Sequence, residues 1–509
     1  MSTDDIQDTD EIEDTEEIEG ADALPLRLHV DPQDPTWLIG TPFPVDVTMT
    51  NTGAGAIEVP DPNGPSPFVY DLNPQDPTGI ARALSERSAR LALRPDARRQ
   101  PPVQLVSLAA GAKQQLHEDL GDYLVEPTPA GSYALRAVYQ PPQGPALQST
   151  PVPVRLRAPE PSHLVHAAAP SIPFVSTAFV EAGGDGPQVL YLREVVSDGH
   201  ALVGSAYPLP VPDDGAIEQL AVSISDGPAQ YFRWVAWRVG DTVHAGFAQS
   251  WSPRLVDAPA EPALRELALS PVGWQYGVAE AEFAALGLGD DGRPMLATMA
   301  FFVEDGDRAE LSLAPTGLDD LPSAWTLARS SGRGAKARYR LVAASRTDTG
   351  LAVDGIALGG ATPGPAVALH RGDGPLAAMA VSATPAASKP FVDLLLGPTG
   401  KERRTMTFLR VGLDDGERLL GKAWRFPAQL ANRAPGASWV LPQIPTDEPL
   451  IMTNLDGRLL VIEIDDELRF TSVDPGPVSH PALLQTGGGL WALWLSQKTG
   501  LQAALLKAR

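Results

Sequence analysis

The sequence predicts an all-β chain in which a small β-sandwich precedes a β-propeller of about seven blades. Short apolar runs alternate with polar residues along most of the 509 residues, which is the period of half-buried strands. The 51 Pro and 47 Gly lie scattered between those runs, as expected of a chain with many turns. Asp-Gly pairs recur in the C-terminal two-thirds at a spacing close to the length of one propeller blade.

The composition excludes several classes of function. The formal net charge is −24, whereas binding to nucleic-acid phosphate or anionic membranes needs a basic footprint, so we predict neither partner. The chain has no Cys, which excludes disulfides, thiolate catalysis and cysteine metal sites. No signal-peptide pattern and no long apolar run occur, so we expect a cytoplasmic protein by default. A signal-independent export route would leave the same pattern.

Residues 1–23 are predicted to be a disordered acidic tail, because they carry 11 Asp and Glu and no Lys or Arg. Two tandem six-residue repeats each place an Ile three residues after a Thr. This spacing resembles the phosphothreonine motif that forkhead-associated domains read, which implies docking of the phosphorylated tail into an Arg-lined pocket. The alternative is a solvated tether that aids solubility. The docking residues would be Thr9, Ile12, Thr15 and Ile18.

Residues 24–158 are predicted to be a β-sandwich, because their apolar residues recur with a period of two. One alternating strand, residues 42–50, runs into Asn51-Thr52-Gly53, and another begins with Gly131-Ser132-Tyr133. Both features resemble bacterial immunoglobulin-like domains, in which a Tyr at such a strand start ties a corner to the backbone. The resemblance implies an architecture and no activity. Within this region we expect one short helix near residues 79–90.

Residues 159–509 are predicted to form the propeller. Ten Asp-Gly pairs, a strong hairpin signal, occur after residue 160 and none before it. Six of them start 41, 65, 82, 42 and 41 residues apart, and a period near 41 with about four strands is typical of one blade. A string of further sandwiches is the alternative architecture. The six pairs start at Asp185, Asp226, Asp291, Asp373, Asp415 and Asp456.

The ends of this region are expected to meet. We predict that the last strands, residues 490–495 and 501–506, pair with residues 174–179 and so close the ring.

No motif in the sequence predicts a catalytic, cofactor-binding or metal-binding residue. Residues 287–292 fit the dinucleotide fingerprint letter by letter, but a strand and not a helix is predicted to follow, so we interpret them as a turn. His163 and His166 form an HxxH pair in a predicted linker, where metal binding would need a third ligand from elsewhere.

Nine of the ten Trp residues lie after residue 230, and they support two interpretations. Trp contributes large contact energies, so these side chains could form a recognition surface for a partner. They could instead pack between blades. The recognition surface would comprise Trp234, Trp237, Trp491 and Trp494.

The main functional hypothesis is a non-enzymatic interaction or scaffold module, whose propeller rim binds a protein or glycan partner. The alternative is a propeller-type hydrolase or lyase, whose catalytic acids converge at the central channel from different blades. A structural component of a larger assembly is a third hypothesis. A cluster of carboxylates in the channel would favour the enzyme. The sequence does not predict the oligomeric state.

Overall fold

The structure is a computed structural model in which nearly all regular structure is β-strand. It describes residues 24–63, 66–75, 82–84, 104–122, 129–141, 144–168, 172, 174–181, 188–197, 202–203, 206–209, 215–226, 231–240, 242–249, 252–256, 264–271, 275–276, 280–302, 308–331, 338–359, 362–382, 390–399, 405–425, 438–442, 449–455, 458–464, 468–474, 478–497 and 500–508.

The strands before residue 158 form three sheets of their own, with the orders β1-β3-β8, β2-β11-β9-β5-β6 and β4-β7, and β10 pairs with β9. Buried and accessible residues alternate along them, as the sequence predicts. A 3₁₀ turn, Leu120–Asp122, follows β8. The strands are β1 (Leu26–Pro32), β2 (Thr36–Leu38), β3 (Pro44–Asn51), β4 (Ile57–Pro60), β5 (Phe68–Pro74), β6 (Arg82–Leu84), β7 (Leu105–Leu108), β8 (Lys113–Asp119), β9 (Gly131–Tyr139), β10 (Leu147–Gln148) and β11 (Val152–Arg157).

Two hydrogen-bonded corners follow from the residues that the sequence singled out. Tyr133 Oη donates to the carbonyl oxygen of Pro129 at 2.7 Å, so the predicted tie between this Tyr and the backbone is confirmed. The Asn51 side chain is fully buried, and its Nδ2 donates to the carbonyl oxygens of Gly55 and Leu108. The short helix expected over 79–90 is wrong at Arg82–Leu84, which pairs with β5 as a strand. The rest of that segment lies outside the described residues.

The described strands after residue 160 form seven small sheets, an architecture consistent with a β-propeller. They are antiparallel except where Ser225 and Asp226 pair in parallel with Gln275 and Tyr276. We number them ring sheets 1 to 7. Sheet 1 contains β12 (Pro161–Ala168), β13 (Phe174–Glu181), β14 (Val189–Ser197), β15 (Leu202–Val203) and β16 (Ala206–Leu209). Sheet 2 contains β17 (Gln219–Asp226), β18 (Tyr231–Val239), β19 (Thr242–Gln249), β20 (Ser252–Val256) and β22 (Gln275–Tyr276). Sheet 3 contains β21 (Arg265–Pro271), β23 (Glu280–Leu288), β24 (Pro294–Phe302) and β25 (Arg308–Pro315).

The later sheets are simpler, because each consists of consecutive strands. Sheet 4 contains β26 (Ala324–Ser331), β27 (Arg338–Thr347), β28 (Gly350–Leu358) and β29 (Val367–Gly372), and sheet 5 contains β30 (Leu376–Val381), β31 (Phe391–Leu396), β32 (Thr405–Gly412) and β33 (Arg418–Arg425). Sheet 6 contains β34 (Ser438–Val440), β35 (Leu450–Leu455), β36 (Arg458–Ile464) and β37 (Leu468–Asp474). Sheet 7 contains β38 (Val478–Thr486), β39 (Gly489–Ser496) and β40 (Gly500–Ala508).

Side-chain packing arranges the seven sheets in a closed ring. The first strands of successive sheets contact one another in order, and β38 contacts β12. Buried apolar clusters likewise join each sheet to the next, and one cluster joins sheet 7 back to sheet 1. In that closing cluster, Val175 of β13 packs with Leu493 of β39 and Leu501 of β40. The predicted pairing of the last strands with residues 174–179 is therefore wrong, since face-to-face packing closes the ring and β39 and β40 pair within sheet 7.

The 41-residue spacing of Asp-Gly pairs does not mark equivalent positions in the ring. Asp291 lies between the second and third strands of sheet 3, whereas Asp373 lies between sheets 4 and 5 and Asp415 between the last two strands of sheet 5. Asp-Gly suits any tight hairpin, so it does not distinguish one turn of a sheet from another. The distance along the chain from the first strand of one ring sheet to the first strand of the next varies between 40 and 62 residues. These first strands begin at Pro161, Gln219, Arg265, Ala324, Leu376, Ser438 and Val478.

Polar and apolar contacts join the ends of β2 and β11 to ring sheet 1. Arg157, the last residue of β11, donates from Nη1 to Glu181 Oε1 of β13 at 2.6 Å. The second carboxylate oxygen of Glu181 accepts from the backbone N–H of Glu160 at 3.1 Å. Leu38 packs on Phe179 beside these bonds. The Glu181 side chain is 7% exposed and so is shielded from solvent, whereas the Arg157 side chain is 44% exposed.

Candidate functional site

A cavity of about 660 Å³ lies on the inner side of the ring, where sheets 1, 2, 6 and 7 meet. We call it the inner cavity. Its walls come mainly from the first strands of these four sheets, and Asn454 of β35 adds a second-strand residue. The lining residues are Leu164, Val165, His166, Leu220, Ala221, Val222, Val440, Leu441, Asn454, Val478, Ser479, His480, Pro481, Ala482, Leu483 and Leu484.

The inner cavity is electrically neutral at physiological pH. None of its lining residues is Asp, Glu, Lys or Arg. Burial, with a smaller contribution from His480, lowers the pKa of His166 from 6.5 to about 3. Burial, together with the nearby His163, also lowers the pKa of His480. Both imidazoles are therefore uncharged at pH 7, and the walls offer hydrogen-bonding groups without a formal charge.

His166 lines the inner cavity from β12. Its Nδ1 is 2.9 Å from Oγ1 of Thr177 on the neighbouring strand β13, directly across the ladder. Its Nε2 is closed off from solvent and has no hydrogen-bond partner among the described residues. A buried polar atom without a partner costs about 1–3 kcal/mol, so this nitrogen lowers the stability of the ring beside the cavity.

Asn454 lines the same cavity from β35. Its Nδ2 donates to the carbonyl oxygen of Val478 in β38 at 2.6 Å, and this bond fixes the orientation of the amide because a carbonyl only accepts. Its Oδ1 is closed off from solvent and has no partner within the described part of the chain. The hydrogen bond from Asn454 therefore ties sheet 6 to sheet 7 at the wall of the cavity.

His480 lies at a distorted point of β38. Its φ is 50°, the sole positive φ of a non-Gly residue in the described ranges. The ladder between β38 and β39 shifts register between Ser479 and Ala482, so the strand bulges where it borders the cavity. A non-Gly residue in this region costs about 1–3 kcal/mol, and such strain concentrates at functional sites. The bulge places His480 Nδ1 3.1 Å from Ser479 Oγ, and both residues line the cavity.

The HxxH pair does not form a metal site. His163 and His166 lie in strand β12 and not in a linker, which corrects the sequence-based interpretation. Their side chains diverge, because His163 Nε2 donates to the carbonyl oxygen of Glu218 at 2.8 Å while His166 borders the cavity. Among the residues that the structure describes, no group of three or more His, Cys, Asp or Glu has the arrangement of a metal site.

The four Trp residues of the predicted recognition surface do not form one. Trp234 and Trp237 are fully buried and Trp494 is 6% exposed. Trp234 packs between sheets 2 and 3, Trp237 between sheets 1 and 2, and Trp494 between sheets 6 and 7. Trp491 is half-buried against the cluster that joins sheets 7 and 1. The alternative interpretation, packing between neighbouring sheets, describes all four Trp residues, because indole side chains fill the space between twisted sheets.

Two other predictions concern turns and the tail. Gly287 and Leu288 end β23, and residues 289–292 form a turn before β24, closed by the bond from Gly289 N–H to the Arg293 carbonyl oxygen at 2.9 Å, so the interpretation as a turn is confirmed for residues 289–292. Thr9, Ile12, Thr15 and Ile18 lie outside the described residues, and their role in docking stays a prediction. Within the described ranges, no helix has the length and apolarity needed to span a bilayer.

Sequence reasoning missed Asn454, Ser479 and His480, and singled out His166 only as half of a motif. One signal was available for His166. In β12 it lies between Leu164 and Ala168 on the same face of the strand, in an apolar half of β12 where a polar residue is unusual. Asn454 and His480 have no such local signal, because the ring topology alone brings them to the cavity.

Comparison with known proteins yields weak structural similarity. No protein-family model and no curated protein sequence matches the chain. The chain is similar to a fucose-specific lectin from Aleuria aurantia, with 12% identity over 62% of this chain and 94% of that one and a TM-score of 0.36. It is also similar to AofleA from Arthrobotrys oligospora, with 11% identity over 63% of this chain and 88% of that one and a TM-score of 0.34. Similarity at this level assigns neither a family nor a ligand to this chain.

Proposed function

We propose that this chain is a binding module without catalytic activity, which holds part of a protein or glycan partner in the inner cavity. The observation that carries the proposal is the inner cavity itself, which is about 660 Å³ in volume, has no charged lining residue and has four polar ones, His166, Asn454, Ser479 and His480. Ligand sites are typically concave and mostly apolar, with a few placed polar groups, and volumes of roughly 300–1,000 Å³. The inner cavity has each of these properties.

The architecture that supports this site is proposed to be a seven-bladed propeller, one blade for each ring sheet, covering residues 159–509. Residues 24–158 would be an immunoglobulin-like sandwich that docks on blade 1 through Arg157 and Leu38. Two features support that assignment: the Tyr133 corner and the two facing sheets whose buried residues form one cluster. The tail, residues 1–23, would act as a tether or as a phosphorylation-dependent docking peptide, and the chain would work in the cytoplasm.

The alternative of a hydrolase or lyase needs carboxylates that converge near the ring axis. The inner cavity is lined by no Asp or Glu. A neutral, buried imidazole such as His166 could accept a proton, but a pKa of about 3 makes it a weak base at pH 7. These two properties favour binding over catalysis at this cavity.

A cavity-filling substitution tests the proposal. The full chain is first screened on arrays of neutral oligosaccharides and of peptides, and the probes that bind are then compared across variants. Ala482→Trp places a large ring in the inner cavity, and we expect it to abolish that binding. Ala377→Trp is the matched control, since Ala377 is also a half-buried alanine on the first strand of a ring sheet but does not line the cavity.

Equal binding by the wild type and Ala482→Trp would contradict the proposed site. Chemical conversion of a bound probe that Ala482→Trp abolishes would instead identify an enzyme. Thermal unfolding of both Trp variants checks that the ring is intact in each case.

A further inference from the structure

We propose that the acidic tail, residues 1–23, adds a strand to ring sheet 7 by pairing with the outer edge of β40. This surface is separate from the inner cavity, since no described residue of β40 lines it. Three properties of the chain support the pairing: the strand count of sheet 7, the charge of that sheet, and the length and attachment point of the tail.

Sheet 7 has fewer strands than the other ring sheets. Among the described residues it contains three strands, β38, β39 and β40, whereas sheets 3 to 6 contain four each and sheets 1 and 2 contain five. β40 therefore occupies the position of a third strand, yet one of its edges has no described partner. β15 of sheet 1 lies beside β40 but pairs with β14. Every second residue along the open edge presents its backbone N–H and C=O away from β39, which is the surface that strand addition uses.

β40 is apolar like a third strand but accessible like an edge strand. Six of its nine residues are Leu or Ala. Leu505 is 40% exposed, whereas β28, the third strand of sheet 4, has no exposed residue. Ala503 packs on the cluster that sheet 7 shares with sheet 1, and Ala504 packs on the cluster that it shares with sheet 6. The neighbouring sheets therefore cover both faces of β40 and leave its outer edge open.

The charge of sheet 7 favours an acidic partner. Residues 475–509 contain no Asp or Glu, although the whole chain has a net charge of −24. Three cations accompany β40 in the sequence, since Lys498 precedes it, Lys507 belongs to it and Arg509 follows it. A second copy paired at the same edge would double these cations with no anion between them, and like charges across strands are destabilising. The tail carries 11 Asp and Glu and no Lys or Arg, so it supplies the opposite charge.

The tail is long enough to reach this edge. A methyl group built on Gly500 would lie 3.6 Å from Ile39 Cγ2, so the sandwich borders the start of β40. Leu24, the first described residue, precedes Ile39 by 15 positions, which limits their separation to about 50 Å. The tail extends to about 75 Å, so about eight of its residues can lie along β40 even at that greatest distance. Because the tail is covalently attached, its effective concentration at the edge is on the order of millimolar, and a weak pairing suffices.

The tail has a pattern that suits an edge strand. Each of its two repeats places an Ile between two Glu, at residues 11–13 and 17–19. In an extended segment the Ile side chain lies on the opposite face from its two Glu neighbours. The Ile would extend the apolar surface of β40, and the carboxylates would remain hydrated, as charged side chains on edge strands do.

Hydrogen–deuterium exchange measured by mass spectrometry tests the pairing. Amides of β40 that face its outer edge should exchange about ten-fold more slowly in the full chain than in a variant without residues 1–23, because the pairing must open before they exchange. A full-length variant whose tail has lost most of its net negative charge should lose the same protection. It combines Glu11→Lys, Glu13→Lys, Glu17→Lys and Glu19→Lys.

Two controls accompany these variants. Replacing the same four Glu residues by Asp keeps the charge of the tail and should keep the protection of β40. The last strand of sheet 5, β33, is an edge strand far from sheet 7 in chain order, and its exchange should be equal in all four proteins. Faster exchange of β33 in a variant would reveal damage to the ring.

The outcomes decide between occupants of the edge. Protection of β40 that is lost in the tail deletion and in the Lys variant, and kept in the Asp variant, would support the pairing. Equal exchange of β40 in all four proteins overturns it. Protection that persists without the tail and falls on dilution would place a second copy at this edge and also overturns it. Protection that only the deletion removes would overturn the role of charge. None of these outcomes depends on a ligand in the inner cavity, so the proposed function stands or falls separately.

Discussion

The two parts of this chain bury their apolar residues in different ways. Before residue 158, the buried residues from Leu26 to Leu156 form one cluster between facing sheets. In the ring, seven smaller clusters each bridge two neighbouring sheets. A ring sheet therefore has no complete core of its own, and its stability depends on both neighbours. The sandwich is expected to unfold as a unit, whereas a lesion in one ring sheet destabilises the next.

Matched Trp substitutions should give the largest effects and separate the two parts. Trp37 is 1% exposed in the sandwich, and Trp237 is fully buried between ring sheets 1 and 2. Replacing either by Ala should cost about 3–5 kcal/mol through lost burial and a residual cavity. In differential scanning calorimetry, Trp37→Ala should shift one transition and Trp237→Ala another. A single transition that both variants lower equally would contradict the separate cores.

The buried ion pair of sheet 5 sharpens the comparison within the ring. Arg410 Nε donates to Asp393 Oδ1 at 2.7 Å and Nη2 donates to Oδ2 at 2.9 Å, with both side chains at 10% exposure or less. Burial raises the pKa of Asp393, and the bonds from Arg410 oppose that rise. Asp393→Ala should destabilise the ring transition by about 3 kcal/mol, because it removes both carboxylate hydrogen bonds from a buried guanidinium.

An exposed ion pair provides the control for Asp393. Arg340 Nη2 lies 2.6 Å from Asp414 Oδ1, and the two side chains are 27% and 49% exposed, respectively. Asp414→Ala should cost less than about 1 kcal/mol in chemical denaturation, since solvent screens the pair. If the two Ala variants lost equal stability, burial would not be the cause of the difference.

The junction tests whether the two parts are coupled. Glu181 accepts one bond from Arg157 and one from the Glu160 backbone, so Glu181→Ala should cost about 2 kcal/mol. Because these bonds join the sandwich to the ring, the two calorimetric transitions should move further apart in this variant. Transitions that keep their separation would show that the junction carries no coupling.

Acid should weaken the ring through His166. In the unfolded chain His166 binds a proton below about pH 6.5, whereas its pKa in the folded chain is about 3. Between these values the unfolded state holds the extra proton, so the free energy of unfolding falls as pH falls. Urea titrations at several pH values should show a shallower loss in His166→Gln. Identical pH dependence in the two proteins would contradict the buried neutral imidazole.

Sequence patterns predicted the local structure well where a period of two was present. The strand predicted to begin at Gly131 does begin there and forms β9, because alternation reports directly which face of a strand is buried. The β-rich ring was predicted from turns and short strands. Its blade length was not, since Asp-Gly records the geometry of a turn and not its place within a sheet.

The candidate site was largely beyond sequence reasoning. His166 and Asn454 are 288 positions apart, and only the closure of the ring brings sheets 1 and 6 to one cavity. The Trp residues were a misleading signal, because an indole side chain suits both a binding surface and the space between two packed sheets. The site is the space that four sheets leave between them, and that space depends on three-dimensional packing.

The most direct test of the account is a crystal structure of the full chain with a glycan or peptide probe that it binds. The account predicts the probe in the inner cavity, in contact with Ala482 of β38 and Ala221 of β17. A probe bound only at the outer loops of the ring, with the inner cavity filled by water, would contradict it.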